Sequence, residues 1–256
     1  MPEVRPKKHL GQHFLNDKRI ANRIVDSLTA ANAEKIVEIG PGMGVLTFEL
    51  FERFKEKLVA VEVDGESVEY LNKNIPELNI IEGDFLEINL LKEIGNHFSI
   101  IGNLPYNISS QIFFKILEHR EHVPEVVAMV QREVAQRIAE KPGSRTYGIL
   151  SVLLQAYYNI EYLFTVSEGC FTPPPKVKSA VVRLTRNGVT NLGCDYKLFE
   201  RVVKAAFNQR RKTLRNAIKA RFNGIEISDT YAGRRAEQLS VEQFVDLTNE
   251  ITQLTH

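Results

Sequence analysis

The chain has 256 residues, enough for one large domain or a domain with a smaller companion. Its 43% hydrophobic and 25% charged content is ordinary for a globular protein, and its two cysteines, Cys170 and Cys194, form neither a disulfide framework nor a metal-ligand cluster. A reducing, intracellular and cytoplasmic setting is therefore expected, with no bound metal. The basic N-terminus is not followed by the apolar core of a signal peptide, and the most apolar window, 147–164, is interrupted by Gln155, Asn159 and Glu161, so no membrane span is expected.

The net charge of +1 conceals an asymmetry. Residues 176–221 hold 13 Lys or Arg against 2 Asp or Glu, whereas residues 20–175 hold 13 against 22. A local excess of +11 on a near-neutral chain is an electrostatic footprint for a polyanion, and nucleic acid is the expected partner.

Taken in order, Ile20 to Ala31 carries a helical stripe, and Lys35–Ile39 is a short apolar run ending in glycines, a buried strand. Leu46–Phe54 reads as a helix, Leu58–Asp64 as a strand, Ser67–Asn74 as a helix, and Leu78–Ile81 as a third strand. A fourth strand, Phe98–Ile101, runs into Gly102 and a tight turn; Ser110–Leu117 is a helix, Val126–Val130 a strand, and Ser179–Leu184 a late strand that closes the sheet. Strands alternating with helices imply right-handed βαβ units and a parallel sheet. After a turn-rich stretch from Asn187 to Asp195 the pattern is helical to the end. Two domains are expected, 1–186 and a small helical domain, 187–256.

Ligands of open α/β sheets bind beyond the carboxyl ends of the strands. Here those ends carry a glycine turn (Gly40-Pro41-Gly42-Met43-Gly44), an acid (Glu62), a second acid followed by an aromatic (Asp84-Phe85), and Asn103-Leu104-Pro105-Tyr106. The dinucleotide fingerprint G-x-G-x-x-G fails, because Val45 stands where its third glycine belongs. Glu62 can accept both hydroxyls of a ribose, and Asp84 with Phe85 can take an adenine amine and cover its face. An adenosine without a pyrophosphate fits this series, so S-adenosylmethionine fits better than a dinucleotide. Asn103 and neighbouring carbonyls can accept from the exocyclic amine of a second planar ring, Pro105 fixes the backbone so that the acceptors converge, and Tyr106 can stack on the ring.

These residues resemble the motifs of class I methyltransferases. Asn103-Leu104-Pro105-Tyr106 is similar to that superfamily's signature for methylation of exocyclic amines. Gly11-Gln12-His13-Phe14-Leu15, Phe171 to Val181 and Ala206 to Asn216 resemble ribosomal RNA adenine dimethyltransferases of the small-subunit type. The motifs run from residue 7 to residue 216. The resemblance implies a Rossmann-like, mostly parallel sheet and N6,N6-dimethylation of two adjacent adenosines in the 3′-terminal hairpin loop of small-subunit rRNA, late in subunit biogenesis. It implies cofactor contacts at His13, Leu15, Gly40, Glu62, Asp84 and Asn103. A monomer acting on a pre-ribosomal particle is expected.

For catalysis, Asn103 Oδ1 and the Leu104 carbonyl are expected to accept the two amine hydrogens, aiming the nitrogen lone pair at the methyl; the neutral amide is not a base. Tyr106 is expected to stack on the base, with Phe171 across from it. Lys204, Asn208, Arg211, Arg215 and Lys219 recur at steps of four, three, four and four, one face of a helix that would follow a phosphate backbone. Lys7, Lys8, Lys18 and Arg19 add a second basic edge. A large-subunit methyltransferase, a non-catalytic assembly factor and a DNA adenine methyltransferase share part of this pattern.

Overall fold

The structure, a computed structural model, describes residues 4–30 and 33–255. Nine strands and eleven α-helices follow one another along it. The strands are β1 (Phe14–Leu15), β2 (Lys35–Ile39), β3 (Leu58–Glu62), β4 (Asn79–Glu82), β5 (Phe98–Asn103), β6 (Glu125–Gln131), β7 (Tyr158–Val166), β8 (Phe171–Thr172) and β9 (Ser179–Arg186). The helices are α1 (Lys18–Asp26), α2 (Thr47–Phe54), α3 (Gly65–Asn74), α4 (Leu90–Glu93), α5 (Ser109–Glu118), α6 (Arg132–Ala139), α7 (Ile149–Gln155), α8 (Tyr196–Asn208), α9 (Leu214–Arg221), α10 (Asp229–Ala232) and α11 (Val241–Thr255). The helix expected to reach Ala31 stops at Asp26; Ala31 itself lies outside the described residues.

The chain divides into two units. The first comprises Met1–Ala135 and Ile160–Arg186. It is built on a seven-stranded sheet of order β4-β3-β2-β5-β6-β9-β7. The pairings from β4 through to β6 are all parallel, and β9 runs antiparallel to β6 with Met129 opposite Val181. The short apolar runs are strands because both faces are covered: β3 is buried at every residue, as a parallel sheet under helices requires. On one face Ile36, Ala60, Ile101, Val127 and Met129 pack with Ala21, Ile24 and Val25 of α1 and Leu50 of α2. Gly102 is needed where β5 passes β2, because a Cβ there would sit 2.6 Å from the Ile39 carbonyl oxygen. After β2 the chain first builds outward through β3 and β4 and then returns to lay β5 on the other side. The carboxyl ends of β2 and β5 therefore flank the switch point where such sheets bind ligands.

The second unit comprises Gln136–Asn159 and Asn187–His256. Its C-terminal stretch starts where the second domain was expected, but residues 136–159, read with the first domain, pack here. Tyr147, fully buried, meets Phe207 edge-on with ring centroids 6.1 Å apart, and Phe207 packs on Phe244 at 6.0 Å. Gln155 Nε2 donates to the carbonyls of Ile138 (2.9 Å) and Glu140 (2.8 Å). Among the described residues no helix is long and apolar enough to cross a membrane.

Candidate active site

At the carboxyl ends of β2 to β5 lies a cleft of about 890 Å³, solvent at its mouth included. His13, Leu15, Gly40, Glu62, Asp84 and Asn103, the six residues expected to hold the cofactor, all line it. The glycine turn leaves β2 with positive φ at Gly40, Gly42 and Gly44. A Cβ on Gly40 would meet protein no closer than 4.0 Å, so the space it would fill belongs to the cleft. Gly42 is bare for a different reason: a Cβ there would lie 2.8 Å from the Phe14 ring, which rests on the turn.

Glu62 ends β3 with its side chain inside the protein (4% exposed). Its Oε2 accepts from Gly42 N (3.0 Å) and its Oε1 from Asp64 N (2.9 Å). Burial pushes its pKa up, against the pull of those two N–H groups. A carboxylate has about four acceptor sites, so these N–H groups leave acceptor capacity for a ligand's hydroxyls. Asp84 Oδ1 accepts from Leu86 N (2.8 Å), an Asx turn that commits one oxygen and leaves the other. The loop after it is fastened from α5, where Lys115 Nζ donates to the carbonyls of Leu86 (2.9 Å) and Ile88 (2.6 Å). Glu38, one residue before the end of β2, is 1% exposed with neither carboxylate oxygen hydrogen-bonded, and burial pushes its pKa up to about 8.

Asn103 ends β5, and its Nδ2 donates to the His13 carbonyl at 2.9 Å. A carbonyl can only accept, so this contact fixes which end of the amide is nitrogen and leaves Oδ1 as the free acceptor. Leu104 N donates to the Met129 carbonyl (3.0 Å), pinning the turn to the neighbouring strand, and the Leu104 side chain is buried. The Tyr106 hydroxyl pairs with Ser179 Oγ at the start of β9, and the His13 ring stacks against Tyr106 with centroids 5.5 Å apart. His13 Nδ1 in turn faces the Pro173 carbonyl (2.8 Å), so that nitrogen carries the proton, and Asn16 Nδ2 donates to Thr172 Oγ1 (2.9 Å). Three segments far apart in sequence, 11–16, 103–106 and 171–179, thus meet at one point.

A second cleft opens there. Pro6, Lys8, Gln131 and residues 172–177 line it, and it shares Gly11, Gln12, His13 and Tyr106 with the first. His13 and Tyr106 stand at the junction. Phe171, expected across the base from Tyr106, lines neither cleft. It pairs with Leu15 between β8 and β1 and is 3% exposed in the core, because that short strand turns it inward and leaves Thr172, Pro173 and Pro174 exposed.

The expected basic helix face is also revised. Lys204 and Asn208 belong to α8, Arg215 and Lys219 to α9, and Arg211 to the turn between them. Lys204 pairs with Glu200, Arg215 with Asp229 (2.8 Å) and Lys219 with Glu226 (2.8 Å), all at the surface. Of the second basic edge, Lys8 lines the second cleft, whereas Lys7 pairs with Asp64 and Arg19 with Asp17. Sequence reasoning missed Val63, which follows Glu62, lines the first cleft and is 49% exposed; an apolar side chain left open beside a strand-end acid is the signal. It also missed Phe14 as a wall of the cleft, and Gln131 and Lys176 in the second one.

A mostly parallel seven-stranded sheet, with a glycine turn after its first strand and an acid ending the next at the edge of the cleft, is the architecture of class I methyltransferases. Solved structures share it. A dimethyladenosine transferase from Plasmodium falciparum superposes with a TM-score of 0.82 at 22% identity, covering 95% of this chain and 98% of that one. The 23S rRNA methyltransferase ErmE gives 0.66 at 22%, covering 91% and 99%. A sequence model of the family described as Ribosomal RNA adenine dimethylase matches residues 4–253, and the chain belongs to that family. Its relatives include the Ribosomal RNA small subunit methyltransferase A of Cytophaga hutchinsonii, 57% identical over 98% of this chain and 99% of that one, and that of Parabacteroides distasonis, 58% identical over 96% and 93%.

Proposed function

We propose that the protein is an rRNA adenine N6,N6-dimethyltransferase, using S-adenosylmethionine to methylate two adjacent adenosines in the 3′-terminal hairpin loop of small-subunit rRNA. It works as a cytoplasmic monomer on a late pre-ribosomal small subunit. The observation that carries the reading is the Asn103 amide. It is tied at its nitrogen to His13 and free at its oxygen, on the wall of a cleft suited to an adenosyl group that shares His13 and Tyr106 with a second cleft suited to a base.

The first cleft fits the cofactor through its own residues. Gly40 leaves space, the spare acceptors of Glu62 match two ribose hydroxyls, and Asp84 with Phe85 and Val63 encloses an adenine. His13 and Leu15, on the same cleft, would complete the hold on the cofactor. The bound cofactor supplies an electrophilic methyl carbon on a sulfonium.

Adenine enters the second cleft out of its stack. Asn103 Oδ1 and the Leu104 carbonyl accept the amine hydrogens, so the nitrogen pyramidalises with its lone pair toward the first cleft. Orientation then supplies much of the rate. Tyr106, anchored by Ser179 and backed by His13, offers its remaining face to the ring. The neutral Asn103 takes no proton, which leaves to solvent after transfer. With one hydrogen replaced by methyl, a single acceptor contact still aligns the amine for the second transfer. Lys204, Arg211, Arg215 and Lys219 bind phosphates and set affinity and register, while RNA shape supplies recognition.

Mass analysis of small-subunit rRNA from cells lacking the protein tests this. Loss of N6,N6-dimethyladenosine from the 3′-terminal hairpin is the expected result; an unchanged modification pattern refutes the proposal.

A further inference from the structure

Asp64 has no part in the chemistry above, yet its side chain is fully enclosed and engaged on every side. It caps α3, accepting from Glu66 N at Oδ1 (3.3 Å) and from Ser67 Oγ at Oδ2 (3.1 Å). A helix cap needs no more than this. Asp64 also holds two groups from the N-terminal segment: Lys7 Nζ pairs with Oδ1, and Gln12 Nε2 donates to Oδ2 (3.1 Å). The segment is braced within itself, because Lys7 N donates to Gln12 Oε1 (2.8 Å), Leu10 N to the Lys7 carbonyl (3.1 Å) and Gly11 N to the Lys8 carbonyl (3.0 Å). Gly11 has φ +65°, and a Cβ there would lie 2.7 Å from Asn107 Oδ1, so the strap lies directly on the loop after the Asn103 turn.

We infer that Asp64 is a positioning residue, the latch that holds the strap formed by residues 7–15 over the cofactor cleft. Resting on the function proposed above, the inference adds a residue pair, Lys7–Asp64, that touches neither cofactor nor base. The strap supplies six residues of the cleft wall, 10–15, and within them the carbonyl of His13 that orients Asn103. Its C-terminal end is pinned where β1 pairs with β8, and its N-terminal part is held by Lys7 and Gln12 on Asp64. The Asp64 N–H donates to Glu62 Oε1, so the residue that fastens the strap also steadies the acid meant for the ribose. A charge-assisted bond to a carboxylate closed off from solvent is stronger than a surface pair. Losing it frees one wall of the cleft without removing any group from it.

The test measures binding of S-adenosylhomocysteine by calorimetry, with hydrogen exchange of residues 7–15 read on the same samples, in full-length wild type, Lys7→Met, Lys7→Arg, Asp64→Asn and the double variant Lys7→Met/Asp64→Asn. Asparagine keeps the helix cap, and Lys7 is partly exposed, so the ligand-free melting temperatures serve as the check on folding. The expected results are affinity roughly tenfold weaker in Lys7→Met, faster exchange confined to the strap, recovery in Lys7→Arg, and a double variant no weaker than the worse single one. Wild-type affinity in Lys7→Met, or penalties that multiply in the double variant, overturns the latch. A wild-type protein that binds no S-adenosylhomocysteine contradicts the functional proposal instead, and the latch with it.

Discussion

Asn103 shows how far one side chain's role depends on its tether. Its donor end is spent on His13, so Asn103→Ala removes both that tether and the free acceptor proposed to take the amine hydrogen. Asn103→Ala should lower the rate of methyl transfer about 100-fold or more while cofactor affinity changes far less; single-turnover rates beside calorimetry separate the two. Glu62→Ala should abolish cofactor binding and spare RNA binding, whereas equal loss of both would make Glu62 a structural residue. Glu38 gives a pH prediction. Its pKa rises from 4.5 to about 8 in the fold, so the native protein holds a proton that the unfolded chain releases. Stability should therefore fall as pH rises from about 4.5 to about 8 and then level off, by an amount on the order of 5 kcal/mol. Glu38→Gln should flatten that decline in denaturant melts taken across the range. The strand-end residues that line the first cleft were legible because each sits where a short apolar run stops. Phe171 was not, because an aromatic before a proline-rich loop reads alike whether it faces base or core, and the β1–β8 pairing that decides it joins residues far apart in sequence.

Elements were legible where periodicity changed. β2 spans Lys35–Ile39 as expected, and β5 extends the expected strand through Asn103, which places that side chain at the sheet's edge. The break between α8 and α9 was hidden. Apolar residues keep helical spacing across 209–213, where no Gly or Pro marks a stop, and a tertiary bond from Leu214 N to the Arg234 carbonyl (2.7 Å) holds the new start. The strand β7 was hidden for the opposite reason, as it shares one apolar run with α7. Packing between elements is testable at Gly102. A Cβ there collides with the backbone of β2, which cannot move without disturbing the glycine turn, so Gly102→Ala should destabilise the protein by about 3 kcal/mol in equilibrium unfolding. An unchanged unfolding midpoint would mean that the two strands are not in the register described.

Across the whole molecule, charge and chemistry are largely separated along the chain: residues before 176 supply the first cleft and all of the second but Lys176 and Val177, and the basic 176–221 stretch supplies both β9 and the two-helix surface. The ion pairs of Arg215 and Lys219 lie at the surface, where such pairs are weak and screened by salt, so phosphates can displace them. Arg211→Ala with Arg215→Ala should weaken RNA binding and flatten its dependence on salt, with cofactor affinity unchanged; an unaltered salt slope would remove these residues from the phosphate track. The grouping of residues 136–159 with the C-terminal helices was not legible, since it depends on Tyr147 meeting Phe207 and Phe244 in three dimensions. The central claim is that Asn103, on the wall of the first cleft beside its junction with the second at His13 and Tyr106, brings an adenine amine to a methyl donor. Incubating the protein with labelled S-adenosylmethionine and undermethylated small subunits, then digesting the rRNA to nucleosides, tests it most directly: label in N6,N6-dimethyladenosine is the predicted result, and label elsewhere or none at all contradicts it.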